Sequence, residues 1–147
     1  MRTVILSSYN VANFPEGGGH LWVYMQYAQG LRELGCEVYW LENFRRSEDE
    51  KRDAAALQTF RARMEQFGLG GKLLIYLSQG HTAAPGIPSD YVGITEAEAE
   101  AIFDRADLLL NFHYAINPAL AARFRRTALV DIDPGLQIGR ASCRERV

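Results

Sequence analysis

The sequence predicts an α/β fold, an open and mainly parallel sheet of about five strands with helices on both faces. Three observations predict it. Short apolar runs alternate with amphipathic helical patterns along the chain. The run 3–8 is β-rich and apolar on both faces, as a central parallel strand must be. Strand, loop, helix, glycine and second strand also follow one another within about 40 residues, the order of a βαβ unit. Parallel strands cannot be joined by tight turns, so each crossover requires a helix.

Taken in order, the first strand is Thr3 to Ser8, followed by the loop from Tyr9 to Gly19. From His20 to Leu34, Leu21, Met25, Ala28, Leu31 and Leu34 recur at three- and four-residue spacing, making one helical stripe. Trp22, Tyr24 and Tyr27 are expected to cover the sheet. Gly35 ends the helix, and Glu37 to Glu42 is the second strand. A charged turn, Arg45 to Arg52, leads into a helix over Asp53 to Phe67 with Ala56, Leu57, Phe60, Met64 and Phe67 on one side. The third strand is Lys72 to Ser78, and the Gly- and Pro-rich stretch from Gln79 to Gly93 reads as an exposed loop. Thr95-Glu96-Ala97-Glu98 is a capping box opening a helix that runs to about Arg105. Asp107 to Phe112 is the fourth strand, Pro118 to Phe124 a short helix, and Thr127 to Ile132 the fifth strand. The whole is Rossmann-like.

The 147 residues suffice for one domain with a single core. With 48% hydrophobic and 23% charged residues the composition is that of an ordinary globular domain. A formal net charge of −2 gives no electrostatic reason to expect nucleic acid. No apolar run approaches the roughly 20 residues needed to span a bilayer. The opening Met1-Arg2-Thr3-Val4 turns polar too quickly for a secretory leader, so a cytoplasmic location is expected.

Residues 137–147, Gln137-Ile138-Gly139-Arg140-Ala141-Ser142-Cys143-Arg144-Glu145-Arg146-Val147, have neither a strand period nor a helical stripe. They match, residue for residue, one reading frame of a widely used short-read sequencing adapter. They are therefore read as non-native read-through and set aside from the domain, 1–136. Setting them aside takes three arginines and one glutamate from 16 basic and 18 acidic side chains, and the net charge moves from −2 to −4. It leaves Cys36 as the one native cysteine, a small buried filler with no base beside it, in keeping with a reducing compartment. The domain is expected to be truncated.

In open parallel sheets ligands gather beyond the carboxyl ends of the strands, near the switch in strand order. Gly17-Gly18-Gly19-His20 lies there, between the first strand and the first helix. Glycines let a backbone come close to a ligand, and the helix they open offers unpaired N–H groups to an anion. The spacing is neither G-x-G-x-x-G nor a P-loop. His20, in the first turn, is either a general base on a hydroxyl or a side chain that only orders the loop; the helix dipole favours its neutral form. Asn111 and His113 end the fourth strand facing the crevice as ligand contacts, and for His113 the alternative is a histidine hydrogen-bonded within its loop. Asp131 and Asp133 close the fifth, and Asp133 before Pro134 is either a hydroxyl-binding acid or an ordinary turn starter. Two carboxylates are too few for a metal site, so none is expected. His81 has no paired ligand.

Gly17-Gly18-Gly19-His20, the helix carrying Tyr27-Ala28-Gln29-Gly30-Leu31-Arg32-Glu33-Leu34-Gly35, and the strand Glu37-Val38-Tyr39-Trp40-Leu41-Glu42 together resemble the opening of GT-B glycosyltransferases. The exit Asp131-Ile132-Asp133-Pro134-Gly135 looks like a segment of uncharacterised glycosyltransferase-like proteins. The resemblance extends over residues 1 to about 136 and is most specific at 17–42. It implies a two-domain enzyme whose N-terminal domain holds the acceptor and whose C-terminal domain binds the nucleotide-sugar donor. It also implies His20 as catalytic base; Gly17, Gly18, Gly19, Asn111, His113 and Asp133, placed at the strand ends, are expected around the substrate. No metal or other cofactor is implied. The donor domain is missing from this chain, so the fragment is expected to be inactive. Two other classes stay open. One is a Rossmann-type domain for another nucleotide or dinucleotide, with Glu42 as the ribose-binding acid; the other is a self-contained α/β binding module.

Overall fold

A computed structural model describes residues 1–14, 18–79 and 86–132. The chain forms β1 (Thr3–Ser7), α1 (Gly18–Glu33), β2 (Glu37–Arg46), α2 (Glu50–Gln66), β3 (Leu73–Gln79), β4 (Tyr91–Val92), α3 (Glu96–Arg105), β5 (Leu108–Asn111), α4 (Pro118–Ala121) and β6 (Thr127–Leu129). The strands make one sheet in the order β4-β3-β2-β1-β5-β6. All pairs are parallel except β3 with β4.

Every residue of β1 is buried, as its two-sided apolar pattern requires. Alternate residues of the strands feed two cores. Leu6, Val38, Trp40 and Phe44 pack under Leu21, Tyr24 and Met25 of α1 and Phe60 and Met64 of α2. Ile5, Tyr39, Leu41 and Leu109 pack under Ala99 and Phe103 of α3 and Leu120 of α4. Among the described residues helices therefore cover both faces, two on each.

The ends of α1 and α2 are set by glycine. At Gly35 (φ +88°) the N–H groups of Gly35 and Cys36 reach back to the carbonyls of Arg32 and Leu31, a Schellman ending. Gly68 (φ +77°) ends α2 with the same pair of bonds, from Gly68 to Glu65 and from Leu69 to Met64. Gln29 and Arg32 of α1 both donate to the Phe67 carbonyl, at 3.0 and 2.6 Å, so α1 closes the end of α2. α3 opens on the expected capping box: Glu98 N–H donates to Thr95 Oγ1 at 3.1 Å and Thr95 N–H to Glu98 Oε2 at 2.8 Å. Thr95→Ala should lower stability by about 1 kcal/mol in urea denaturation. A loss below about 0.3 kcal/mol would mean that packing alone holds this helix end.

Four expectations change. A sixth strand, β4, lies in the stretch read as an exposed loop; Tyr91 turns its ring onto Phe103 at 6.4 Å and is 9% exposed. Two residues carry no period that sequence could reveal. β2 runs on to Arg46 because Arg45 and Arg46 pair with Ser78 and Gln79. α2 begins earlier than expected, at Glu50, where the Asp49 side chain accepts from Arg52 N–H at 3.1 Å. Leu34 falls past the end of α1 and is exposed, and Trp22 and Tyr27 stay about half exposed while resting edge-on against Phe67 and Phe112. Cys36 is partly buried against the first core.

Candidate functional site at the carboxyl end of the sheet

Among the parallel strands the order β3-β2-β1-β5-β6 places the switch between β1 and β5. Crossovers leave these neighbours toward opposite faces, so a crevice opens beyond their ends. Ser7 of β1 sits opposite Asn111 of β5 in the last paired row. Two residues further along each chain, the rings of Tyr9 and His113 meet across this gap, with centroids 4.8 Å apart.

The loop after β1 is built from its own polar side chains. Asn10 takes a left-handed conformation (φ +58°), which an asparagine tolerates well. Asn13 bonds β2 through its amide, donating to the Arg45 carbonyl at 2.9 Å and accepting from Arg45 N–H at 3.0 Å. The Arg45 guanidinium donates to Asn10 Oδ1 at 3.0 Å. Beneath the loop, the carboxylate of Glu42 accepts from Ser8 Oγ and from the Ala12 N–H. Glu42 is 1% exposed, and burial pushes its carboxyl up to about 7 against those two hydrogen bonds.

This loop aims the Tyr9 carbonyl at His20, whose Nε2 lies 2.6 Å away. A carbonyl can only accept, so Nε2 carries the hydrogen and, in the neutral ring, Nδ1 keeps the lone pair. His20 is partly exposed at the first turn of α1 and rests edge-on against Tyr24 at 5.2 Å. Gly18 and Gly19 already belong to that first turn. A Cβ at either would meet no described atom within 4 Å, so the helix does not need glycine there, and space is left beside it.

His113 faces a cavity of about 210 Å³ that it shares with Asn43, Ser78, Asp90 and Asn117. Burial, helped by the charge of Arg45, pulls its imidazole down to about 4, so the ring is neutral at pH 7. Ser78 Oγ donates to Asn43 Oδ1 at 2.9 Å, and Arg46 engages Asp90 at 3.0 Å. Uncharged groups thus dominate the wall. Such a set can exchange hydrogen bonds with hydroxyls, each of which donates and accepts.

The expected site residues do not all converge. His113 lines the cavity and His20 does not; Tyr9 links the two, by its carbonyl to one and its ring to the other. Asn111 is 5% exposed, and its amide is occupied by the His113 backbone, accepting from the N–H at 2.9 Å and donating to the carbonyl at 3.1 Å. Tyr114 OH donates to Asp131. Gly17, His81, Asp133 and the segment 137–147 lie outside the described residues. Among the described residues, no group of three or more His, Cys, Asp or Glu side chains could hold a metal ion, and no helix is long and apolar enough to cross a membrane.

No protein-family model matches this chain, and no curated protein or solved structure matches it. The site therefore stands on its own geometry. Sequence reading missed Tyr9, Asn13, Asn43, Arg45 and Ser78. The one local signal was the pair of asparagines in Tyr9-Asn10-Val11-Ala12-Asn13, since asparagine favours left-handed turns and bonds to nearby backbone.

Proposed function

We propose that this domain is the acceptor side of a GT-B-like glycosyltransferase. A hydroxyl-bearing acceptor lies at the carboxyl ends of β1, β2, β3 and β5, beside His113 and the cavity. The nucleotide-sugar donor is held by a second domain outside residues 1–136. In the transfer, the acceptor oxygen bonds to the anomeric carbon, and the bond from that carbon to the donor phosphate breaks. The nucleoside diphosphate leaves with the electron pair, and the acceptor proton passes to Nδ1 of His20.

The observation that carries this reading is the Tyr9 carbonyl 2.6 Å from Nε2 of His20, which leaves a lone pair on the other nitrogen of a partly exposed ring beside the crevice. A cavity that sets Asn43, Ser78 and His113 beside apolar side chains, with Asp90 paired to Arg46, also suits a sugar or polyol better than a charged ligand. The dinucleotide reading has less support, because Glu42, the acid that would meet a ribose, is buried beneath its own loop.

Two measurements test the proposal. Uncharged sugars and polyols, titrated into this chain, should shift the imidazole resonances of His113 and His20, whereas NAD should leave them in place. In a chain that includes the donor domain, His20→Ala should lower kcat by about 10²–10⁴-fold. Micromolar NAD binding with no response to any sugar overturns the reading.

A further inference from the structure

We propose that Glu42 is a positioning residue, holding the loop after β1 so that the Tyr9 carbonyl receives the Nε2 hydrogen of His20. The inference rests on the reading of His20 as a base, but its geometry is independent of any ligand.

Glu42 sits on the face of β2 that also carries Trp40 and Phe44, both essentially without exposure, in the middle of the first core. Packing alone would favour another apolar side chain at such a position. A carboxylate buried there with no salt bridge among the described residues is costly to fold. What it provides is two acceptor oxygens for two donors of one short loop, the Ser8 hydroxyl and the Ala12 N–H. Ala12 has no exposure, so without Glu42 its N–H would be a buried donor lacking a partner.

The two anchors bracket Tyr9, one residue before it and three after. Ser8 N–H is further tied to the Leu41 carbonyl at 3.2 Å, and Asn13 is tied to Arg45 on the far side. Between these ties the chain passes through left-handed Asn10 and buried Val11, which leaves the Tyr9 peptide little freedom to rotate. The direction of its carbonyl, and so the partner of His20, follows from where Glu42 holds the loop.

Glutamine can replace both functions, because its carbonyl accepts from Ala12 N–H while its amide donates to a rotated Ser8 hydroxyl. Alanine can replace neither. In E42Q the downfield Nε2–H proton of His20 and the ring contact between Tyr9 and His113 should persist in NMR spectra. In E42A both should be lost, with the methyl signals of Ile5 and Leu6 unchanged. Should E42A fail to fold, hydrogen exchange in the unaltered chain decides: the Ala12 amide should exchange about 100-fold more slowly than an open loop amide. Retention of both His20 and Tyr9 signals in folded E42A, or an Ala12 amide as fast as open loop, overturns the proposal. A failed sugar titration alongside these loop signatures would sink the transferase reading alone.

Discussion

Glu42→Gln should raise stability by about 3 kcal/mol at pH 8 and change it little at pH 4. Burial lifts this carboxyl from its ordinary 4.5 to about 7, so between those values the folded chain binds a proton that the unfolded chain has released. Stability from this group therefore falls as pH rises from 4.5 to 7, and the full cost is present above 7. Glutamine removes the titration. His113 has the opposite sign: burial lowers it from 6.5 to about 4, so its contribution is present above 6.5 and lost as pH falls through 4. Its ring is partly open to solvent, and its share is about 2 kcal/mol. The two slopes oppose one another across pH 4.5–6.5, and the unaltered protein should show a shallow profile there. Urea denaturation at a series of pH values checks this. E42Q should weaken on acidification, and His113→Asn should weaken on alkalinisation. An E42Q profile parallel to that of the unaltered protein would mean that Glu42 is not desolvated.

Trp40→Ala should cost about 3–5 kcal/mol, the range for removing a large buried aromatic side chain. Trp40 has no exposure and sits in the paired row Leu6–Trp40–Leu73 at the centre of the sheet. Its ring lies 6.3 Å from Tyr24 and 6.4 Å from Phe60, so it joins β2 to both helices on that face. Tyr24 in turn stands edge-on to His20 and to Phe112, each at 5.2 Å. The cavity left by alanine would loosen the ring that backs the imidazole, so the His20 resonance should broaden. A loss below about 1.5 kcal/mol would show that the neighbouring side chains collapse into the space.

What could be read from sequence was local. Thr95 and Glu98 announce a capping box by spacing alone, and Gly35 ends α1 as its position suggests. The two-sided apolar run at β1 marks a central strand because only a strand covered on both faces tolerates it. Periodicity says which residues are buried but not which strand lies beside which, so the pairing of Ser7 with Asn111 could not be foreseen. Charge concealed structure in two places: Asp49 is a helix cap inside an acidic run, and Arg45 and Arg46 are strand residues that read as a turn. His113 stands two residues past Asn111, the last residue of β5, a position legible from the end of the apolar run. The inward turn of Glu42 and the self-bonded amide of Asn111 depend on how loops fold back, and no spacing rule encodes that.

α1 starts with the imidazole at the crevice and finishes with Gln29 and Arg32 clamped on the last carbonyl of its neighbour. Those 16 residues join the two places in one continuous helix. A Cβ on Gly68 would lie 2.9 Å from the guanidinium nitrogens of Arg32, so a larger residue there would press on the clamp that joins the two helix ends.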